Sequence, residues 1–281
     1  MVIDRPLTRE PATGGRAGRA VLAALAGHAI EWYEFGVYGV VAVYLARALF
    51  PSDDLGIALL GTWSAFAAAF LIRPLGGVVL SHLGDRYGRR AALFASVTLM
   101  SGATFLMGVL PGSDSVGVLA VVLLVGLRLV QGFAVGGEMG SAVTLVYENT
   151  RPGNRVRASS WLAAGTFTAL LCGSLLASAI AASLSEEAMV EWGWRVLFLF
   201  ALPLGLVAVW VRRSIVEPSA ALGAEADAVP RLPIVEVIRS QKRAVGRYLA
   251  IGVAFNVGVS FALAGYTNLM VLNGIAPAEA V

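Results

Sequence analysis

Glu31, Glu34, Arg73, Arg128 and Glu138 are charged side chains set inside stretches otherwise too apolar for water. Charges in such runs are expensive, and they usually pair with one another, move protons or touch a substrate. Glu31 and Glu34 are three residues apart, as are His28 and Glu31, so on a helix all three side chains share one face. A carboxyl in a low-dielectric setting stays protonated unless a cation holds it charged. Competition between a proton and Arg128 for Glu34 or Glu31 would therefore make a proton switch. The plain alternative is a fixed ion pair that holds two helices together.

The elements that must position these residues are long apolar helices. Of the 281 residues, 58% are hydrophobic and 14% charged, far fewer charges than a soluble domain carries. Mean hydropathy is +0.77. A bilayer core of about 30 Å needs roughly 20 apolar residues in a helix. The sequence predicts seven spans, near 21–45, 57–80, 91–110, 117–145, 158–183, 195–212 and 248–272. Residues 1–20 read as a disordered tail, and 214–247 as a polar loop with an amphipathic helix from Pro233 or a solvated basic linker. The N-terminal run reads as an uncleaved first span rather than a signal peptide, because it continues through acidic and aromatic residues to Leu45.

The connections alternate in charge. Arg5, Arg9, Arg16 and Arg19 precede the first span, Arg86, Arg89 and Arg90 follow the second, and Arg151, Arg155 and Arg157 follow the fourth. The sixth connection runs from Arg212 to Arg247 and includes Lys242, the only lysine. The opposite connections hold Asp53, Asp54, Asp114, Glu186, Glu187 and Glu191, with Arg47 and Arg195 as the basic residues. The excess of arginine places the N-terminus and the sixth connection in the cytoplasm, and the C-terminal end of the seven spans outside. Segregation of the basic residues by loop argues against nucleic-acid binding.

From their positions in the spans, Glu31, Glu34 and Arg128 reach similar depths, roughly 15–20 Å from the membrane faces, and can meet near the midplane. His28 reads as an interhelical hydrogen-bond partner, with a proton relay as the alternative. Arg73 is expected to snorkel to the nearer interface or to pack between helices. His28, Trp32, Tyr33, Tyr38, Arg128, Gln131 and, in the seventh span, Asn256 are candidate cavity residues, with ordinary helix contacts as the alternative for the three aromatics and Ser260, Tyr266 and Asn268 as further polar groups in that span. Trp192 and Trp194 read as interfacial anchors, and Gly132, Gly136, Gly137 and Gly140 as close-packing positions. Cys172 reads as a small packing residue. One cysteine and two histidines leave little scope for a metal site, no metal or cofactor is expected, and no hydrolase or metalloprotease motif appears.

Residues 81–90 read SHLGDRYGRR, in which Gly88 suits a sharp turn and Asp85, Arg86, Arg89 and Arg90 can lock helix ends. The segment resembles the signature G-x-x-x-D-R-x-G-R-R of the major facilitator superfamily, with Ser81 in the place of the leading glycine. Residues 27–38, GHAIEWYEFGVY, resemble the first span of the metabolite:proton symporters, usually G-N-x-x-E-W-[YF]-D-F, with His28 for Asn and Glu34 for Asp. RPLGG at 73–77, RLVQGFAVGGE at 128–138 and WGWR at 192–195 are similar to later segments of that family.

The resemblance covers roughly residues 20 to 273 and implies an all-α membrane protein. Its fold would be the superfamily's N-terminal six-helix bundle (21–213) followed by a seventh transmembrane helix (248–281). It implies proton symport of a small organic acid or zwitterion across a bacterial inner membrane, not an enzyme. Glu34, Glu31 and Arg128 would be the coupling residues, and Asp85, Arg86, Gly88, Arg89, Arg90 and Glu138 a cytoplasmic gate. The superfamily's second half has further helices, so two alternatives stand beside transport. One is a truncated, non-transporting fragment in which Asp85 lacks its partner; the other is a subunit completed by a partner chain.

Overall fold

The computed structural model describes residues 14–213 and 240–260, and among them every regular element is helical. The first helix, α1 (Gly14–Leu49), begins earlier than expected, inside the segment read as a disordered tail. Residues 14–20, which mix glycine with alanine and arginine, extend the span. Helix α2 (Leu55–Tyr87) starts at Asp54, whose carboxylate accepts from the N–H groups of Gly56 and Ile57 at 2.8 and 3.2 Å. It ends at Gly88, where φ is +95°, a value that only glycine adopts without strain. Helix α3 (Arg89–Gly108) follows at once.

The expected fourth span is two helices, α4 (Leu119–Gly136) and α5 (Glu138–Asn149), parted at Gly137. After a short 3₁₀ turn at Pro152–Asn154 comes α6 (Arg155–Ser183). One π-helical turn at Met189–Gly193 leads into α7 (Trp194–Leu199) and α8 (Ala201–Arg213). Arg195 donates to the carbonyls of Gly108 and Leu110, so it closes the C-terminal end of α3. Arg47, at the end of α1, pairs with Glu186.

Among the described residues, five helical stretches are long and apolar enough to cross a membrane: Leu55–Gly84, Ala91–Gly108, Leu119–Gly136, Pro152–Ser183 and Glu186–Val211. Helix α1 is long enough at 36 residues, but His28, Glu31 and Glu34 in its middle lower its apolarity. These three polar side chains are buried inside the bundle. Large apolar residues face outward instead, among them Leu60, Leu71, Phe167, Leu171 and Trp210, as a lipid-facing surface requires.

The bundle is organised around α1, which packs along α6, and around α2, which packs along α4. The largest core cluster gathers Tyr38, Val41, Leu45 and Leu49 of α1 with Met107, Leu124, Trp194, Leu197 and Phe198. Trp194 is fully buried, so the expected interfacial anchor is a core residue; Trp192 is exposed. Cys172 is exposed rather than packed, because it points off the outer face of α6.

A second unit, residues 229–281, contributes α9 (Lys242–Ser260). This helix begins inside the expected loop, so Lys242, Arg243 and Arg247 ride on its first turns. The expected amphipathic segment up to 239 and the polar positions Tyr266 and Asn268 lie outside the described residues, as does the Asn256 side chain.

Candidate functional site

Glu34 lies near the middle of α1 and is 2% exposed; Arg128, on α4, is 4% exposed. The Arg128 Nη1 donates to Glu34 Oε1 at 2.5 Å and to Gln131 Oε1 at 3.0 Å. Gln131 Nε2 donates to Glu34 Oε2 and to Thr104 Oγ1, both at 2.8 Å. The Thr104 hydroxyl shares its proton between Glu34 Oε2 at 3.0 Å and the Met100 carbonyl at 2.8 Å. Both carboxylate oxygens are thus held by donors from two other helices, which is how a buried charge avoids an unsolvated penalty. Below the guanidinium lies the Tyr38 ring, 3.9 Å from Cζ, with Phe66 at 5.2 Å. Nε and Nη2 of Arg128 are buried and have no hydrogen-bond partner.

Glu31 does not join that centre. Its Oε1 lies 3.0 Å from Arg73 Nη2, and its Oε2 lies 3.6 Å from His28 Nδ1. Of the two expectations for Arg73, packing between helices is the one observed: α2 continues to Tyr87, so Arg73 lies well inside the helix and turns to α1 rather than to the interface. Pro74 has no N–H, so the Phe70 carbonyl loses its helical donor one turn back. The Arg73 guanidinium stacks over Phe70 at 4.2 Å and stands 5.7 Å from the Phe35 ring. The two acids of α1 therefore serve different neighbours, Glu34 binding α4 and Glu31 binding α2.

Of the candidate cavity residues, Gln131 is within the centre. Tyr33 is a packing residue, and Tyr38 packs in the core with its ring against Arg128. The Tyr33 hydroxyl donates to the Leu197 carbonyl at 3.0 Å, and the Tyr38 hydroxyl to the Thr62 carbonyl at 2.7 Å. Tyr33→Phe is accordingly expected to lower thermal stability by about 1 kcal/mol while leaving ligand binding unchanged, as melting curves with and without ligand would check. Trp32 stacks on Phe35 at 5.3 Å and meets His28 edge-on; its Nε1 is buried without a partner.

In the expected gate, Gly88 makes the turn and Arg86 is exposed over the Tyr87 ring at 5.5 Å. The side chains of Asp85, Arg89 and Arg90 lie outside the described residues. Glu138 is buried and accepts a hydrogen bond from Ser96. Thr104 and Ser96 escaped the sequence reading. A hydroxyl residue in an apolar helix commonly bonds its own backbone, as Thr104 does with Met100, and nothing in the spacing marks its second contact. Among the described residues no group of three or more His, Cys, Asp or Glu side chains could hold a metal ion.

The family model of the Major Facilitator Superfamily matches residues 22–277. The glycine betaine/proline/ectoine/pipecolic acid transporter OusA of Dickeya dadantii is 39% identical over 206 residues, 73% of this chain and 41% of its own length. The proline/betaine transporter of Escherichia coli K12 is 36% identical over 219 residues, 77% of this chain and 44% of its own. The shikimate transporter of the same strain is 40% identical over 228 residues, 79% of this chain and 52% of its own. The chain thus spans about half the length of the curated relatives it matches. Among solved structures, the xylose transporter XylE of E. coli in a partially occluded inward-open conformation superposes with a TM-score of 0.59 at 17% identity. That match covers 92% of this chain and 62% of XylE. A double-tryptophan mutant of XylE gives 0.69 at 16% identity, over 95% and 65%. These likenesses establish the helical fold.

Proposed function

This chain belongs to the major facilitator superfamily, and from that premise we propose that its Glu34–Arg128 centre couples the movement of a small carboxylate-bearing solute to protons. The observation that carries the reading is the incomplete commitment of Arg128. Its Nη1 holds Glu34, while Nε and Nη2 are buried with nothing to bind. Two donors on one edge of a guanidinium match the two oxygens of a carboxylate. Proline, betaine, pipecolic acid and shikimate, named for the relatives, all carry that group.

In this mechanism a proton on Glu34 neutralises the carboxylate, and Gln131 and Thr104 keep the neutral acid in place. Arg128 then carries an unbalanced charge and takes the solute's carboxylate. Loss of the proton restores the internal pair and releases the solute. Glu31, facing Arg73 and His28, is a second proton-coupling acid on the same helix. The arginine-rich connections lie on the cytoplasmic side of a bacterial inner membrane.

The test uses the native protein that carries these residues, in proteoliposomes with an imposed pH gradient and radiolabelled shikimate, proline or glycine betaine. Gradient-driven accumulation is expected, collapsing with a protonophore. Glu34→Gln is expected to lose accumulation at least tenfold while still exchanging solute across the membrane. Undiminished accumulation by Glu34→Gln, or uptake driven equally by sodium, would sink the coupling assignment and leave the fixed ion pair as the reading of this centre.

A further inference from the structure

At the arginine-rich end of the bundle, a cleft of about 530 Å³ lies between the start of α1 and the start of α6. Leu22 and Leu25 of α1 and Trp161 of α6 supply an apolar wall, and Leu22 and Trp161 are more than half exposed. Thr150, Arg151 and Arg157 supply a polar end. Neither arginine has an acidic partner among the described residues. Thr150 is only 7% exposed, and its hydroxyl has no hydrogen-bond partner. A buried hydroxyl left so is disfavoured, and one that lines a cleft is available to a ligand. The cleft also borders the N-terminal turn of α6, whose Asn154 cap makes no side-chain hydrogen bond. Such a turn presents the positive end of the helix dipole.

We propose that this cleft binds the headgroup of an anionic phospholipid. Its phosphate would sit on Arg151, Arg157 and the Thr150 hydroxyl, and the first carbons of an acyl chain would lie along Leu22, Leu25 and Trp161. The apolar wall decides between the two sources of a phosphate. A free ion would gain nothing from exposed leucine and tryptophan, whereas a lipid covers them, and tryptophan favours the headgroup level. Two arginines near the membrane surface attract anionic lipid, whereas a zwitterionic headgroup presents them with a cation. The bound lipid would join the ends of α1 and α6, so the helix that carries Glu31 and Glu34 would be steadied from its own tip.

The experiment is native mass spectrometry of the full protein in detergent, with phosphatidylglycerol, phosphatidylcholine and inorganic phosphate as separate probes. One phosphatidylglycerol is expected to remain bound under conditions that strip phosphatidylcholine. The double variant Arg151→Gln/Arg157→Gln is expected to weaken that binding roughly thirtyfold. Thr150→Val, which removes the hydroxyl and no charge, is expected to weaken it about fivefold. Equal retention of the two lipids, or unchanged binding by both variants, would overturn the site. Displacement of phosphatidylglycerol by millimolar inorganic phosphate would overturn the lipid in favour of a free anion. Melting in lipid-free detergent checks folding, and Thr150→Val alone carries the test if the double variant melts early.

Discussion

Arg128→Ala is expected to abolish uptake and to destabilise the bundle by about 3–5 kcal/mol. Both consequences follow from the depth of the pair. Glu34 and Arg128 are almost wholly shielded, and the guanidinium is packed between the Tyr38 ring and the carboxylate. Without it, Glu34 keeps the donors Gln131 and Thr104 but faces no opposite charge at contact distance, and the space over Tyr38 is empty. The companion variant separates the two roles. In Glu34→Gln/Arg128→Met no buried charge is left unpaired at this centre, so thermal stability is expected to return close to the parent while uptake stays lost. Arg73→Ala is expected to destabilise less, because its side chain is 27% exposed and His28 stays near Glu31. Melting temperatures in detergent, measured beside uptake, check all three variants. A larger loss from Arg73→Ala than from Arg128→Ala would reverse the ranking of the two centres.

Gly132→Ala is expected to be as damaging as loss of the arginine, although it adds one methyl group. A Cβ at Gly132 would lie 2.0 Å from the Ala69 carbonyl oxygen, one at Gly136 2.1 Å from the Arg73 oxygen, and one at Gly76 1.9 Å from the Phe133 oxygen. Each obstacle is backbone, which cannot swing aside as a side chain does, so α2 and α4 must separate by about 1 Å or more to restore ordinary contact. That shift is transmitted to Arg128, one turn away, whose hydrogen bond to Glu34 is only 2.5 Å long. The expected outcome is at least a tenfold loss of both monodisperse protein and uptake. Gly126→Ala, on an open face of the same helix, is the control and is expected to be neutral. Wild-type behaviour of Gly132→Ala in size exclusion and uptake would show that the two helices are not held at backbone distance.

The sequence made the helical membrane class legible through run length, and the Glu34–Arg128 pairing through charge in an apolar setting. It was silent on how the acids divide. Glu31 and Glu34 share a helix face, and nothing in a spacing of three says that one turns to α2 and the other to α4. The direction of Arg73 depends on where α2 ends, and a hydropathy boundary near residue 80 hides the further turns to Tyr87. Aromatic roles were equally hidden. Tyr33, Tyr38 and Trp194 have the same composition signal as cavity or interface residues, and only packing reveals them as core. Glycines were read correctly as packing positions at 132, 136 and 137, but Gly140 meets nothing within 4 Å. It continues the glycine pattern past the break at Gly137, at an exposed position of the next helix.

The glycine contacts between α2 and α4 also set a rule for chain length. Ala69 meets Gly132, Arg73 meets Gly136, and Gly77 in turn lies against Gly136, so partners advance by one helical turn on both helices together. Removing or inserting a single residue between 69 and 77 would rotate everything beyond it by about 100°. Arg73 would swing from Glu31 toward lipid, and alanine or arginine side chains would meet backbone where glycine now fits. Point changes at many positions can be absorbed, but a change of register cannot. Insertions and deletions are therefore expected to be tolerated in connections such as 50–54 and 109–118, whereas the intervals 69–77 and 128–137 behave as fixed rulers.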